Sequence, residues 1–502
     1  MIRAYAVEDV RAAERAVMAE VPEGALMQRA AAGLATAVLD ELRGRRGRAY
    51  GGRVVLLVGA GSNGGDALWA GARLLARGVR VDAVLVAGRA PEEGLAALLR
   101  GGGRRHDTAP PPEDPGGSGT GTAAAFADVL RSADVVVDGL LGIGGRPGLS
   151  EDVAALVDRL PDGVPVVAVD LPSGVDPDTG ECPAPFLRAT RTVTFGTAKP
   201  CLLLPPASRA AGAVEVVDIG LGPALAGRAP AVERLETADL AAAWPVPGPS
   251  DDKYRRGVVG VVAGGHLYTG AAVLACGAAV RSGAGMVRYV GPAEPTDRVR
   301  ARWPEVVLGA GRVQAWVLGP GVDPDAGDGQ PEAVRDALAS GLPCVVDAGA
   351  LALLPDRVDG PVLLTPHAGE LARLLSDRGE GAVERSAVES APLRHARRAA
   401  ELTGATVLLK GATTLVVAAD GRVRSQADAP HWMATAGSGD VLAGLAGALL
   451  AAGLEPLDAG AVAAAVHGRA GFRASGGGPL AAEDVVAALR PTVVDLLRAD
   501  RC

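Results

Sequence analysis

Aromatic side chains are scarce in this chain of 502 residues, where Phe, Trp and Tyr together make up 3%. A core built on stacked rings is thereby excluded, and the interior has to close through Ala, Val, Leu and Gly packed at short range. Cysteine is also rare. Cys182, Cys201, Cys276, Cys344 and Cys502 are odd in number and form no CxxC pair, so neither a disulfide framework nor a zinc site is indicated, and a reducing compartment fits. Long apolar runs are missing. The longest, Val441 to Leu454, is too short and glycine-rich to cross a bilayer. The first residues, MIRAYAVEDVRAAERAV, carry acids and arginines where a secretory signal has its apolar centre. A cytoplasmic location without a membrane partner is expected. Positive charge is not in excess either: 50 Lys and Arg against 58 Asp and Glu leave a net charge of −8, and no chain-wide field attracts nucleic acid. The Walker A pattern GxxxxGK[ST] does not occur, which argues against a P-loop nucleotide site.

Buried-strand runs alternating with helical patterns are what the chain does contain. An amphipathic segment from Val7 to about Leu42 precedes VVLLV at Val54 to Val58, and further strand runs follow at 79–86, 134–138, 165–170, 191–195 and 214–218. Continuous apolar strands separated by helices imply a parallel sheet covered on both faces. Gly101 to Thr122, rich in Gly and Pro, reads as a surface insertion in which His106 is solvated. After a linker-like stretch a second series begins at GVVGVVAGG (257–265) and continues through 286–290, 316–319, 343–347, 361–365 and 406–410. The expectation is α/β throughout, with a domain at 1–225, a linker at 226–250 and a second domain at 251–502.

In the first series, GAGSNGGD (Gly59 to Asp66) follows a strand and precedes a helix expected near Ala67. Gly59, Gly61 and Gly64 satisfy GxGxxG, so a dinucleotide fold competes, with Arg89 available for an NADP-type phosphate. Two further strand ends carry DGLLGIGGRPG (Asp138 to Gly148) and VDLPSGVD (Val169 to Asp176). Carboxyl ends of parallel strands face one crevice, where Asn63, Asp66, Asp138, Asp170 and Ser173 can converge; the plainer alternative is that Asp138 and Asp170 cap turns.

The second series holds LTPHAGELARLL (Leu364 to Leu375), VLLKGATT (Val407 to Thr414) and TAGSGDVLAG (Thr435 to Gly444). In the last, a glycine-rich turn ends in Asp440 before a small-residue helix, placing free N–H groups and a positive helix end around one carboxylate. Lys410 alone reads as a surface lysine, His367 as a packed loop histidine and Glu370 as a first-turn acid. In the order TPHxGE, KGxTT, GSGD they read as a nucleotide cleft of the ribokinase-like kind, with Asp440 facing an acceptor hydroxyl.

These motifs carry a specific resemblance. With EGALMQRAAAG (Glu23 to Gly33), the first half resembles the epimerase domain of NAD(P)H-hydrate repair enzymes. With KYRRGVVGVVAGG (Lys253 to Gly265), YTGAAVLA (Tyr268 to Ala275), RSGAG (Arg281 to Gly285) and GPG (Gly319 to Gly321), the second resembles their dehydratase domain. The resemblance implies a Rossmann-like parallel sheet followed by a ribokinase-like α/β sandwich. It implies that Ser62, Asn63, Gly64, Gly65, Asp66, Gly142, Ile143, Gly144, Gly145, Arg146, Pro147, Gly148 and Asp170 contact the hydrated cofactor, while Asn63, Asp138 and Ser173 hold a potassium ion. In the second domain it assigns Ala271, Gly321, His367 and Asp440 to the hydrated nucleotide, and Lys410, Gly411, Ala412, Thr413, Thr414 and Gly439 to ADP. The mechanism expected on these residues adds a magnesium ion placed through Glu370. Asp440 and Asp170 are the expected catalytic residues. The substrates are small molecules, and a homo-oligomer is expected. Ser62 and Ala67 depart from the family pattern, which there has asparagine and glycine. Two other readings share some of these residues: a vitamin-precursor kinase fused to a binding module, and a dinucleotide sensor without turnover.

Overall fold

A computed structural model describes residues 1–86, 88–107 and 128–499. The chain forms two compact units, Arg3–Ala231 and Val232–Cys502, the latter with Met1 and Ile2.

Following the short β1 (Ile2–Ala4), the first unit holds β2 (Arg53–Val58), β3 (Arg80–Leu85), β4 (Arg104–Asp107), β5 (Val135–Gly139), β6 (Val166–Val169), β7 (Arg191–Phe195) and β8 (Ala213–Val217). They pair in the order β4-β3-β2-β5-β6-β7-β8, every neighbour parallel. β2 shows why its sequence is continuously apolar. Val54, Leu56 and Val58 enter one core with Leu34 and Val38, while Val55 and Leu57 enter another with Leu130 and Leu156. The strand order reverses between β2 and β5, and the loops leaving those two strands therefore open a crevice.

Three local expectations are corrected in this unit. The segment from Val7 is two helices, Val7–Met18 and Ala25–Arg46, because Pro22 lacks an N–H and Gly24 turns the chain at φ 76°. The helix expected near Ala67 starts at Ser62 and runs to Leu75. His106 lies on edge strand β4, half-buried, with Nε2 2.9 Å from Asp82 Oδ1, since the buried Asp82 carboxylate needs a partner; the remainder of the proposed insertion, from Thr108, lies outside the described residues.

In the second unit the strands are β9 (Val232–Arg234), β10 (Val258–Val262), β11 (Met286–Val290), β12 (Val307–Leu308), β13 (Ala315–Leu318), β14 (Cys344–Val346), β15 (Val362–Leu364), β16 (Thr406–Leu409), β17 (Thr414–Val417) and β18 (Val423–Gln426). Their order is β9-β18-β17-β16-β15-β14-β13-β10-β11-β12. From β16 to β12 the pairs are parallel, whereas β16, β17 and β18 form an antiparallel meander. Part of the 226–250 stretch is ordered: β9 and the helix Thr237–Ala243 bring Leu235, Leu240 and Trp244 into the hydrophobic core. The core is closed by small residues. Helix Ser438–Ala451 lies so near helix Thr269–Arg281 that a Cβ on Gly444 would stand 2.2 Å from the Ala275 carbonyl oxygen.

Candidate active sites

Each sheet carries its cleft at the carboxyl ends of its strands. In the second unit the loops after β13, β14, β15 and β16 meet the start of helix Ser438–Ala451. Gly437 is its N-cap at φ 84°, and Asp440 lies inside the first turn rather than before the helix. First-turn N–H groups have no acceptor within their own helix, as an anion site requires, and of these Ser438 N reaches Thr435 O at 3.4 Å. His367 caps helix Ala368–Asp377: its Nδ1 accepts from Gly369 N (3.0 Å) and Glu370 N (3.1 Å), while Glu370 Oε2 accepts from His367 N at 2.7 Å. This reciprocal box fixes the TPHxGE loop. A bridge between His367 and Lys410 then sets the KGxTT loop beside it.

A cleft of about 640 Å³ results, lined by Tyr268, Ala271, Gly321, His367, Glu370, Arg373, Gly437 and Asp440 among others. All four residues expected to touch the nucleotide substrate, Ala271, Gly321, His367 and Asp440, line it. Gly321, at φ 67°, leaves no room for a side chain, since a Cβ would come within 2.8 Å of Ala271 Cβ. Of the residues expected to hold ADP, none is in this lining. Lys410 lies behind it, with Nζ 2.8 Å from Asp347 Oδ1 and 3.7 Å from Glu370 Oε2, and a Cβ on Gly439 would stand 3.3 Å from that Nζ. Gly411 to Thr413 lie in the turn between β16 and β17, and Thr414 opens β17 with its Oγ1 3.4 Å from Gly411 O.

Electrostatics follow from this crowding of acids. Burial, then repulsion from Asp347, pushes the Asp440 carboxyl up to about 7 against the pull of Lys410. Burial opposes the charge on Lys410, but Asp347, Glu370 and Asp440 together hold its ammonium above the ordinary lysine value. Asp347, 2% exposed, also accepts from Thr365 Oγ1 at 2.9 Å. Its part in the site was not anticipated, although its position after strand β14 was a usable signal.

The first unit's cleft, about 660 Å³, lies at the reversal between β2 and β5. Ser62, Asn63, Gly142, Ile143, Gly144, Gly145, Arg146 and Gly148 line it, joined by Arg11 and Glu14 from the first helix. Gly64, Gly65, Asp66, Pro147, Asp138, Asp170 and Ser173 are not in the lining. Gly64 instead permits the turn to close, a Cβ there falling 2.1 Å from Gly59 O. The Ala67 methyl is accommodated opposite Gly139, which has no side chain to meet it.

Beneath this cleft Asp138 accepts from Ser173 Oγ (2.6 Å), Ser173 N (2.8 Å) and Leu140 N (3.3 Å). Burial pushes its carboxyl up to about 6, opposed by the Ser173 hydrogen bonds. Asn63 Nδ2 donates to Val169 O (2.6 Å) and Leu141 O (3.1 Å). Val169 O and Leu141 O thus meet the Asn63 amide, and Ser173 Oγ links Leu141 to Asp138, an oxygen-rich group without sulfur or imidazole of the kind that fits a hard alkali cation. Asp170, at φ 68°, accepts from Thr194 Oγ1 (2.9 Å) and from Lys199 Nζ (2.5 Å). Lys199 is 1% exposed and gives its other protons to Thr194 Oγ1 and Phe195 O. This lysine was missed in the sequence, where it stands in the apolar run GTAKPCLLLP. Burial, then Asp170 and Glu14, raises the Asp66 carboxyl well above the usual range, with Lys199 pulling it down.

Known proteins show the same pairing of domains. The family profile for NAD(P)H-hydrate dehydratases matches residues 259–482, and that for the YjeF-related protein N-terminus matches residues 23–201. The bifunctional NAD(P)H-hydrate repair enzyme Nnr of Mycobacterium tuberculosis is 43% identical over 474 residues, 91% of this chain and 91% of that one. The chain belongs to this bifunctional repair-enzyme family. The Nnr proteins of Mycobacterium leprae (43% identical, 93% of both chains) and Escherichia coli (34% identical, 83% of this chain and 79% of that one) match as well. The α/β class stands with it: the first unit has the doubly wound strand order of a Rossmann-like sheet, and the second has a mainly parallel sheet that ends in an antiparallel meander. Among the described residues no helix is long and apolar enough to cross a membrane.

Proposed function

We propose that this chain repairs hydrated NADH and NADPH in two steps, interconverting the R and S epimers at C6 and dehydrating the S epimer at the expense of ADP, giving AMP and phosphate. The observation that carries the proposal is the meeting of Asp440, Glu370 and the Lys410 ion pair at the N-terminus of helix Ser438–Ala451, in a chain with whole-length repair-family relatives.

Hydration across C5–C6 of the dihydronicotinamide leaves a hydroxyl on C6, a poor leaving group. Asp440 accepts the hydroxyl proton as that oxygen attacks the terminal phosphorus of ADP and the bridging P–O bond to AMP breaks. The N–H groups of Gly437 to Gly439 stabilise charge on the transferred phosphoryl. The ring nitrogen lone pair then expels phosphate from C6, and loss of a C5 proton restores the double bond. Lys410, Gly411, Ala412, Thr413, Thr414 and Gly439 hold ADP, while Ala271, Gly321 and His367 hold the substrate. Glu370 would hold a magnesium ion, which would supply charge neutralisation; a carboxylate oxygen is a ligand that magnesium takes readily.

In the first unit the substrate lies along Ser62 to Asp66 and Gly142 to Gly148. C6 carries both a hydroxyl and the ring nitrogen, so its configuration is lost when the hydroxyl leaves as water and reset when water returns. Asp170 carries the proton in both directions. Asn63, Asp138 and Ser173 would hold potassium, which would supply fixed positive charge to that pocket. An Asp170→Ala protein that still equilibrates the epimers above the uncatalysed rate removes Asp170 from this role.

A cytoplasmic, homo-oligomeric enzyme is part of the same proposal, and light scattering of the purified chain tests its assembly. The deciding assay supplies mixed R and S hydrated NADH with ADP and magnesium and follows the reduced-nicotinamide absorbance. Complete recovery is expected. Recovery that stops at the S fraction removes the epimerase, and none removes the dehydratase and favours a sensor or a kinase.

A further inference from the structure

Two polyanions have to enter the second cleft, yet its walls are short of positive charge. Glu370, Asp377 and Asp440 face it, and among the described residues Arg373 is the one arginine or lysine in its lining. Lys410 is already committed to Asp347 and Glu370. The whole chain carries a net charge of −8, so a dinucleotide gains no general attraction from it.

Arg373 is exposed and makes no hydrogen bond or ion pair with any described residue. Helix Ala368–Asp377 sets its place. Leu371 and Leu375 are buried in the unit's interior, which turns Glu370, Arg373 and Asp377, three and four residues apart, toward the cleft. An unpaired guanidinium fork at a cleft wall is suited to bidentate contact with phosphate oxygens. None of Lys410 to Thr414 or Gly439 shares this wall, so the fork stands apart from the residues assigned to ADP.

We propose that Arg373 anchors a phosphate of the dinucleotide substrate, either the pyrophosphate or the 2′-phosphate of hydrated NADPH, and thereby sets KM for that substrate and not for ADP. The inference rests on the dehydratase assignment of this cleft. If the wild-type chain shows no ADP-dependent dehydration, that assignment fails by itself, before any variant is compared.

The test is steady-state dehydration by the full chain and its Arg373→Ala and Arg373→Lys variants, with the S hydrates of NADH and NADPH as separate substrates. Losing a charge-assisted phosphate contact should raise KM roughly ten- to a hundredfold, with little change in kcat or in KM for ADP. Arg373→Lys should recover part of the loss. The wild-type KM should climb more steeply with salt than that of Arg373→Ala. An equal rise for both hydrates assigns the contact to the pyrophosphate, and a rise for the NADPH hydrate alone assigns it to the 2′-phosphate. Unchanged KM for both hydrates, or a rise confined to ADP, overturns the proposal.

Discussion

Asp440 meets two demands that pull in opposite directions. As a base it must be ionised, but burial and the neighbouring Asp347 push its carboxyl up to about 7. Dehydration should therefore rise with pH through about 7, and Asp440→Asn should lower turnover by roughly two to four orders of magnitude while substrate affinity is kept; retained turnover would refute the role. Stability runs the other way. Between the ordinary carboxylate pKa and about 7, the folded state keeps a proton that the unfolded state releases. The contribution is present at acid pH and lost as pH rises through 7. Asp440→Asn should thus raise the melting temperature at pH 8 by several degrees and leave it nearly unchanged at pH 4, as calorimetry can measure. His367, Glu370, Lys410 and Asp440 were legible in the sequence because each stands in a short glycine-containing motif after an apolar run. Asp347 and Lys199 were not. Their partners lie at the ends of adjacent strands, Thr365 after β15 and Asp170 after β6, and strand adjacency is not written in any local pattern.

At the scale of elements, the scarcity of aromatics becomes a requirement for close backbone approach. Helix Ser438–Ala451 uses Gly444 against the Ala275 carbonyl and Gly447 against Val317, where an added Cβ would fall 2.2 Å from the oxygen and 2.1 Å from Cγ2. A side chain can yield more readily than a helix backbone. Gly444→Ala should then be destabilising by about 1–3 kcal/mol, and by more than Gly447→Ala, in urea titrations of the full chain; the reverse order would show that the helix pair shifts as a body. The interior strands up to β16 were legible from their apolar runs to within one to three residues. β4 escaped because its four residues, Arg104 to Asp107, are all polar and it lies at an edge. The meander of β17 and β18 was missed because the pattern of parallel strands and helices stops at β16. The break at Pro22 was written in the sequence but masked by the helical periodicity running through it.

The molecule joins two sheets, each with its own core and its own cleft, and the proposed chemistry divides along the same line. The dehydratase site rests on a helix N-terminus and an acid cluster, whereas the epimerase site rests on buried oxygens around Asn63. Replacing potassium by tetramethylammonium, a cation too large and too weakly coordinating for that oxygen set, should slow epimerisation and leave dehydration of pure S hydrate unchanged. In the mixed-epimer assay, absorbance should then return in two phases, a fast one equal to the S fraction and a slow one from the R fraction. Asp170→Asn should give the same curve in full potassium, and Asp440→Asn should abolish both phases, because every molecule of product leaves through the second cleft. If tetramethylammonium slows the fast phase as well, the cation acts beyond the Asn63, Asp138 and Ser173 pocket, and the division of labour between the two sheets is wrong.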